Sequence, residues 1–207
     1  FGKEWEIFDY ESTIKKHTGI DIYKADESQI KKKLTELKIE FDPKVDKWRL
    51  VDILWKFCRK KLSGPGFLTN QPVEISPLAK RDPKDKRKVH QFQVIIAGSE
   101  IGNGYSELND PFDQDERFKK QMDMKKKGDT EAQDHDFSFV EALQYGMPPT
   151  CGFGVSERLF SFLMDKPIRE CVIFPLMKPE NTNKPNVKEV ETKIDRKLQI
   201  TRDKAWK

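Results

Sequence analysis

Apolar and polar positions alternate along this chain with two periods, and each change of period marks an element. The segment WEIFD, residues 5–9, alternates as a short strand, and residues 12–17 read as a brief helix stopped by Gly19. Asp26 is placed to cap a helix over 27–37, where Ile30, Leu34 and Leu37 keep helical spacing. Between 45 and 62, Val45, Trp48, Val51, Leu54, Trp55 and Cys58 line one broad apolar face. Basic residues at 56, 59, 60 and 61 suit the negative end of that helix, and Gly64-Pro65-Gly66 ends it. A strand over 67–70 follows. Period-two runs over 91–97 and 104–108 predict a hairpin turning at Gly98-Ser99. Helical spacing returns near 113–127, 136–145 and 156–164. Helices punctuating short strands indicate an α+β fold, an antiparallel sheet flanked by helices, rather than a βαβ repeat.

Residues 80–88 (KRDPKDKRK) mix both signs of charge, have nothing to bury, and read as a solvated mobile loop. Residues 181–186 form a polar, Pro-containing linker. Beyond it Val187, Val190, Ile194 and Leu198 share one helical stripe, which predicts an appended tail helix. The expected division is therefore 1–180 as one folded unit and 181–207 as linker and tail helix.

Composition narrows the class. The 207 residues suffice for one domain with a proper core, and apolar and charged residues each make up 36%, a wet surface around a modest interior. No stretch nears the ~20 apolar residues that cross a bilayer, and no signal-peptide pattern opens the chain, so no membrane partner is expected. The chain begins at Phe1 in mid-pattern, which reads as a processed or excised fragment. Cys58, Cys151 and Cys171 are odd in number, widely spaced and in apolar surroundings. They read as reduced core thiols rather than a disulfide framework or metal site, which implies a cytoplasmic setting. The net charge of +4 permits contact with nucleic acid without arguing for it. His17, His90 and His135 read as surface or capping residues.

The candidate chemistry lies in the hairpin. With a two-residue turn at Gly98-Ser99, strand parity puts Gln93 and Glu100 on one face and Asn103, Tyr105 and Glu107 on the other. Gly102 and Gly104 flank Asn103, and glycines so placed mark a bulge or the close approach of a ligand; a bulge would swing both sets toward one cavity. A polar edge strand is the plainer reading of the same residues, as a surface pair with Glu157 is for Arg158.

Four ordered segments add a resemblance. EIGNGYSELNDPFDQDERF from Glu100 resembles the stretch of class II lysyl-tRNA synthetases that carries the lysine and ATP-metal ligands. PVEISPLAK from Pro72 is similar to that family's preceding strand and loop. ALQYGMPPT from Ala142 leads into GFGVSER from Gly152, which resembles class II motif 3. Ile168-Arg169-Glu170 and VIFP from Val172 resemble its closing strand and turn. The similarity covers about 64–180, and less clearly the chain before it.

The resemblance implies a partial class II catalytic fold and an aminoacyl-tRNA ligase using lysine, ATP and Mg²⁺, acting on tRNA(Lys) and dimeric when intact. It implies that Glu107 pairs with the lysine ammonium, Tyr105 walls its aliphatic part and Asn103 hydrogen-bonds its polar end. Glu100 would hold Mg²⁺, Gly152 and Gly154 would let the nucleoside lie against the backbone, and Arg158 would clamp the γ-phosphate as the catalytic arginine. Two positions depart from the pattern. Gln93 stands where a second metal-binding acid is usual, and motif 3 has Ser156 where a third glycine is common and is one residue shorter. Motifs 1 and 2 and an anticodon-binding barrel have no counterpart in the sequence, which implies negligible ATP–pyrophosphate exchange by this chain alone. A paralogue that attaches lysine to a protein, and a non-catalytic module of the same fold, are the alternative readings.

Overall fold

The computed structural model describes residues 4–129 and 132–174. The expected linker and tail over 181–207, and the expected turn at Pro175, lie outside them. Five helices are entered through aspartates, whose short carboxylates accept from first-turn N–H groups that have no intrahelical partner. Asp9 caps α1 (Tyr10–Thr18), Asp26 and Gln29 form a capping box on α2 (Glu27–Glu36), and Asp46 caps α3 (Lys47–Arg59). Asp110 caps α4 (Pro111–Lys126) and Asp136 caps α5 (Phe137–Gln144). Gly19 closes α1 in the left-handed conformation, as its position predicts.

The sheet runs in chain order through β1 (Glu6–Asp9), β2 (Gly66–Thr69), β3 (Gln91–Ile96), β4 (Ser99–Ser106) and β5 (Cys151–Val155). Only β1 and β2 are parallel; the remaining neighbours are antiparallel. A wholly antiparallel sheet is thus corrected at one edge. The physical reason is the connection, since α1–α3 between β1 and β2 make the long crossover that parallel neighbours need.

Register gives the sheet two different faces. Phe8, Leu68, Gln93, Asn103 and Gly154 lie in one row across all five strands. That row is apolar at β1–β2, polar at β3–β4 and bare at β5. The apolar end, with Ile95, joins Ile14, Ile30, Leu34, Leu50, Leu54 and Trp55 in the main core beneath α1–α3. The polar end carries no such helical cover and remains a cleft. On the opposite face Trp5, Phe67, Phe92 and Phe153 contact in succession, with ring centroids 5.1, 5.9 and 5.5 Å apart.

Several sequence expectations need correction. The stretch 80–88 is tied down rather than loose, through bridges of Pro72 to Lys88 and Arg81 to Val89, because its charges find partners elsewhere in the fold. Arg81 forks onto Asp113 at 2.9 Å, and Lys88 lies 3.9 Å from both Asp9 and Glu11. Only Cys58 is a core thiol, its pKa pushed up by burial to about 11, while Cys151 is exposed on β5 and Cys171 half-buried. Residues Ile168–Cys171 form a short helix, α7, rather than a strand. The His135 ring is buried against Asp115 (2.7 Å) and stacked on Phe137, so it is not a surface residue.

One buried ion cluster locks α4 to the 3-10 turn at Val73–Ile75 and the segment after it, the floor of the cleft. Arg117, 4% exposed, forks onto Asp113 and donates to the carbonyls of Ser76 (3.2 Å) and Ala79 (2.6 Å). Burial alone would raise the Asp113 pKa, but hydrogen bonds from Arg117 and Arg81 outweigh it and hold the group at about 2. A carboxylate that ionises more readily folded than unfolded adds stability only above its unfolded pKa. About 2 kcal/mol should therefore be lost progressively as pH falls from about 5 to about 1, and little on changes above that window. In urea titrations across pH, Asp113→Asn should remove this acid dependence and cost about 3 kcal/mol at neutral pH by stranding the Arg117 charge.

Candidate active site

The site begins with a register that parity alone does not give. The hairpin turns at Ala97 and Gly98, one residue earlier than expected, with φ of 49° and 70°. Both are left-handed, as a twisted two-residue turn requires. Ile96 then faces Ser99, Ile95 faces Glu100, and Val94 faces Gly102, so Ile101 is an extra, bulged residue. The bulge reverses the parity of everything before it relative to everything after. Glu100, Asn103 and Tyr105 consequently share one face with Gln91, Gln93 and Ile95, and the expected split between Glu100 and Asn103 is corrected.

The glycines divide by face. Gly102 and Gly104 point away from the cleft, and a methyl on Gly104 would meet the Phe92 ring at 2.8 Å and the Phe153 ring at 2.9 Å. They seat aromatic rings and do not admit a ligand. Gly154 sits across from Asn103 and Gly152 across from Tyr105, on the cleft face. A methyl on Gly154 would touch nothing within 4 Å.

A cavity of about 490 Å³ opens on this face, lined among others by Trp55, Gln91, Gln93, Glu100, Asn103 and Tyr105. The acids on and beside this face differ sharply in their company. One oxygen of Glu100 accepts from the Trp55 indole N–H and forms an ion pair with the Arg59 guanidinium, both at 2.8 Å. Asp52 is held by Lys56 (2.9 Å) and Arg49 (3.4 Å). Glu107, half-buried beside the cavity, has no hydrogen-bonding or ionic partner for its carboxylate among the described residues. Its backbone is clamped between Thr150, whose carbonyl it donates to at 2.9 Å, and Ala79. Tyr105 packs on Val73, Ala79 and Val89, and its hydroxyl is pushed up first by burial and then by the Glu107 charge. Ser76 donates to Gln91 (2.7 Å) and Gln91 to the Asn103 carbonyl (2.8 Å), leaving the Asn103 amide donors for the cleft.

A family model for class II tRNA synthetases (D, K and N) matches residues 1–178. The chain belongs to this class II family. It is 43% identical over 181 residues to a lysine–tRNA ligase of Thermosipho africanus, covering 86% of this chain and 36% of that protein. A lysine–tRNA ligase of Thermotoga maritima is 42% identical over 182 residues, with 87% and 36% covered. One from Prochlorococcus marinus is 38% identical over 200 residues, with 94% and 39% covered. The chain thus spans little more than a third of the length of these relatives.

For a class II synthetase chain, the described site is one-sided. Among the described residues β5 pairs only with β4, and Phe153, Val155 and Phe160 are exposed beside it. Arg158 opens α6 (Arg158–Met164) behind Gly152 and Gly154; its N–H lies 3.3 Å from Ser156 Oγ, and its guanidinium makes no ion pair with Glu157. Sequence reasoning missed Trp55 and Arg59, which stand one helical turn apart at the rim of the α3 apolar face, and also Ser76 and Gln91. The i, i+4 spacing of Trp55 and Arg59 was the available signal, but only the fold shows that both reach Glu100.

The two glycine pairs give a structural test. Gly104→Ala should cost about 1–3 kcal/mol by overpacking the Phe92–Phe153 stack. Gly154→Ala should stay within about 0.5 kcal/mol. Urea denaturation of both variants measures the contrast, and equal effects would contradict the assignment of faces.

Proposed function

We propose that the protein is a lysine–tRNA ligase, which activates lysine with ATP and passes the lysyl group to the 3′ end of tRNA(Lys). The observation that carries this reading is Glu107, a clamped, half-buried carboxylate with no partner among the described residues, beside an aromatic wall. Such a group offers a charge and a pocket to an ammonium on an aliphatic stem. A neutral side chain would leave that carboxylate unpaired and desolvated, a penalty of several kcal/mol by which the site rejects analogues.

In the first step an oxygen of the lysine carboxylate attacks the α-phosphorus of ATP. The bond from that phosphorus to the bridging oxygen breaks and pyrophosphate leaves. No general base is needed, because the attacking carboxylate is already ionised. Catalysis is then a matter of placement and of fixed charge. Glu107 anchors the ε-ammonium, Tyr105 lines the methylene stem, and Asn103, oriented by Gln91, donates to the polar end. Gly152 and Gly154 leave room for the nucleoside against β5, and Arg158 meets the γ-phosphate with its planar fork. In the second step the tRNA terminal hydroxyl attacks the lysyl carbonyl and AMP leaves.

Mg²⁺ is expected with ATP, yet the residues here do not build its site. Among the described residues no three His, Cys, Asp or Glu side chains converge, Gln93 is neutral, and one oxygen of Glu100 already meets both Trp55 and Arg59. No step is assigned to the ion. A cytoplasmic setting and a homodimeric intact enzyme accompany this reading, and no described helix is long and apolar enough to cross a membrane.

Isothermal titration with L-lysine and with norleucine, which lacks the ε-ammonium, tests the reading. Lysine should bind at least about tenfold more tightly, and Glu107→Gln should erase the difference. Equal affinities for the two amino acids in the unaltered chain would contradict it.

A further inference from the structure

The metal position has an unusual feature in its own geometry. Glu100 faces the cavity from β4, one strand pair from Gln93 on β3. Behind it, Arg59 from the last turn of α3 lies 2.8 Å from the same Glu100 oxygen that accepts the Trp55 indole N–H. Arg59 and Glu100 are both mostly enclosed, with side-chain exposures of 21% and 26%, so their attraction is only partly screened. The other acids that line the cavity give no substitute. Asp52 is taken by Lys56 and Arg49. Glu74 stands on the 3-10 turn, one oxygen buried without a partner, and burial favours its neutral acid form.

We infer that this chain holds no divalent cation of its own at Glu100, because the Arg59 guanidinium already pairs with one oxygen of that carboxylate and Gln93 adds no second charge. Any ion serving the phosphates then arrives on the nucleotide, and the protein meets it with a carboxylate whose charge is already offset. Two features enforce this independently. A glutamine can offer Mg²⁺ or Mn²⁺ only a carbonyl oxygen, and hard divalent ions are held by one or two carboxylates together with phosphate oxygens. The guanidinium, always charged, cannot step aside by losing a proton. It stays 2.8 Å from one Glu100 oxygen, so an ion on the other oxygen would sit beside a fixed, half-buried positive charge. The inference rests on reading this face as a nucleotide site, but its test needs neither nucleotide nor lysine, so that reading can fail separately.

Electron paramagnetic resonance of Mn²⁺, titrated into the 207-residue chain without nucleotide, provides the test. The unaltered protein should bind more weakly than ~1 mM at this position. Gln93→Glu is isosteric and adds the missing charge, and Arg59→Gln removes the competing cation. Each should tighten Mn²⁺ binding at least about tenfold. Adding Glu100→Gln to the Gln93→Glu variant should abolish the gain, which assigns the ion to this carboxylate. Micromolar Mn²⁺ binding by the unaltered chain, lost on Glu100→Gln, would overturn the inference. So would a failure of both Gln93→Glu and Arg59→Gln to tighten binding.

Discussion

Glu100 and Asn103 are three residues apart, and on a regular strand they would face opposite sides of the sheet. The bulged Ile101 removes that conflict. One extra residue in β4 turns Glu100 onto the face of Asn103 and Tyr105, and Ile101 itself packs with Val94 and Ile96 behind the sheet. The positions of Gln93, Arg59 and Trp55 acquire meaning only after that turn. Without the bulge, Glu100 would leave the cavity and both its donors on α3.

The second constraint is the gradient along the cleft face. Phe8 and Leu68 draw α1–α3 over the first two strands, since apolar surface there is removed from water by packing. The next two strands present amides and carboxylates, and β5 presents glycines. Helical cover therefore ends where the polar residues begin, and the boundary is the line on which Trp55 and Arg59 meet Glu100. The floor is fixed from the other side by Arg117 and Asp113, which tie α4 to the carbonyls of Ser76 and Ala79. Supports on both sides hold Tyr105 and the Glu107 backbone in place.

Much of this was legible in the sequence. Asp26, Gly19 and the helical stripe of α3 announced their elements because those signals act within a few residues. The motif from Glu100 to Phe118 announced the family. The register of the hairpin was not legible, since Gly98-Ser99 and Ala97-Gly98 are both acceptable turns by composition and only the bulge distinguishes their consequences. The stretch 80–88 misled because like composition serves a loose loop and a paired one; Arg81 needed Asp113, which is remote in sequence. The parallel pairing of β1 and β2 depends on a crossover whose direction no local pattern encodes. Arg59 read as a helix-end charge, and its contact with Glu100 is a product of packing.

The account stands or falls on which carboxylate reads the substrate. A structure of the chain with L-lysine bound tests this directly. The account predicts the ε-nitrogen about 2.7–3.2 Å from a Glu107 carboxylate oxygen, with the methylene stem along Tyr105. An ε-ammonium seated instead on Glu100 or Asp52, with Glu107 turned to solvent, would contradict it.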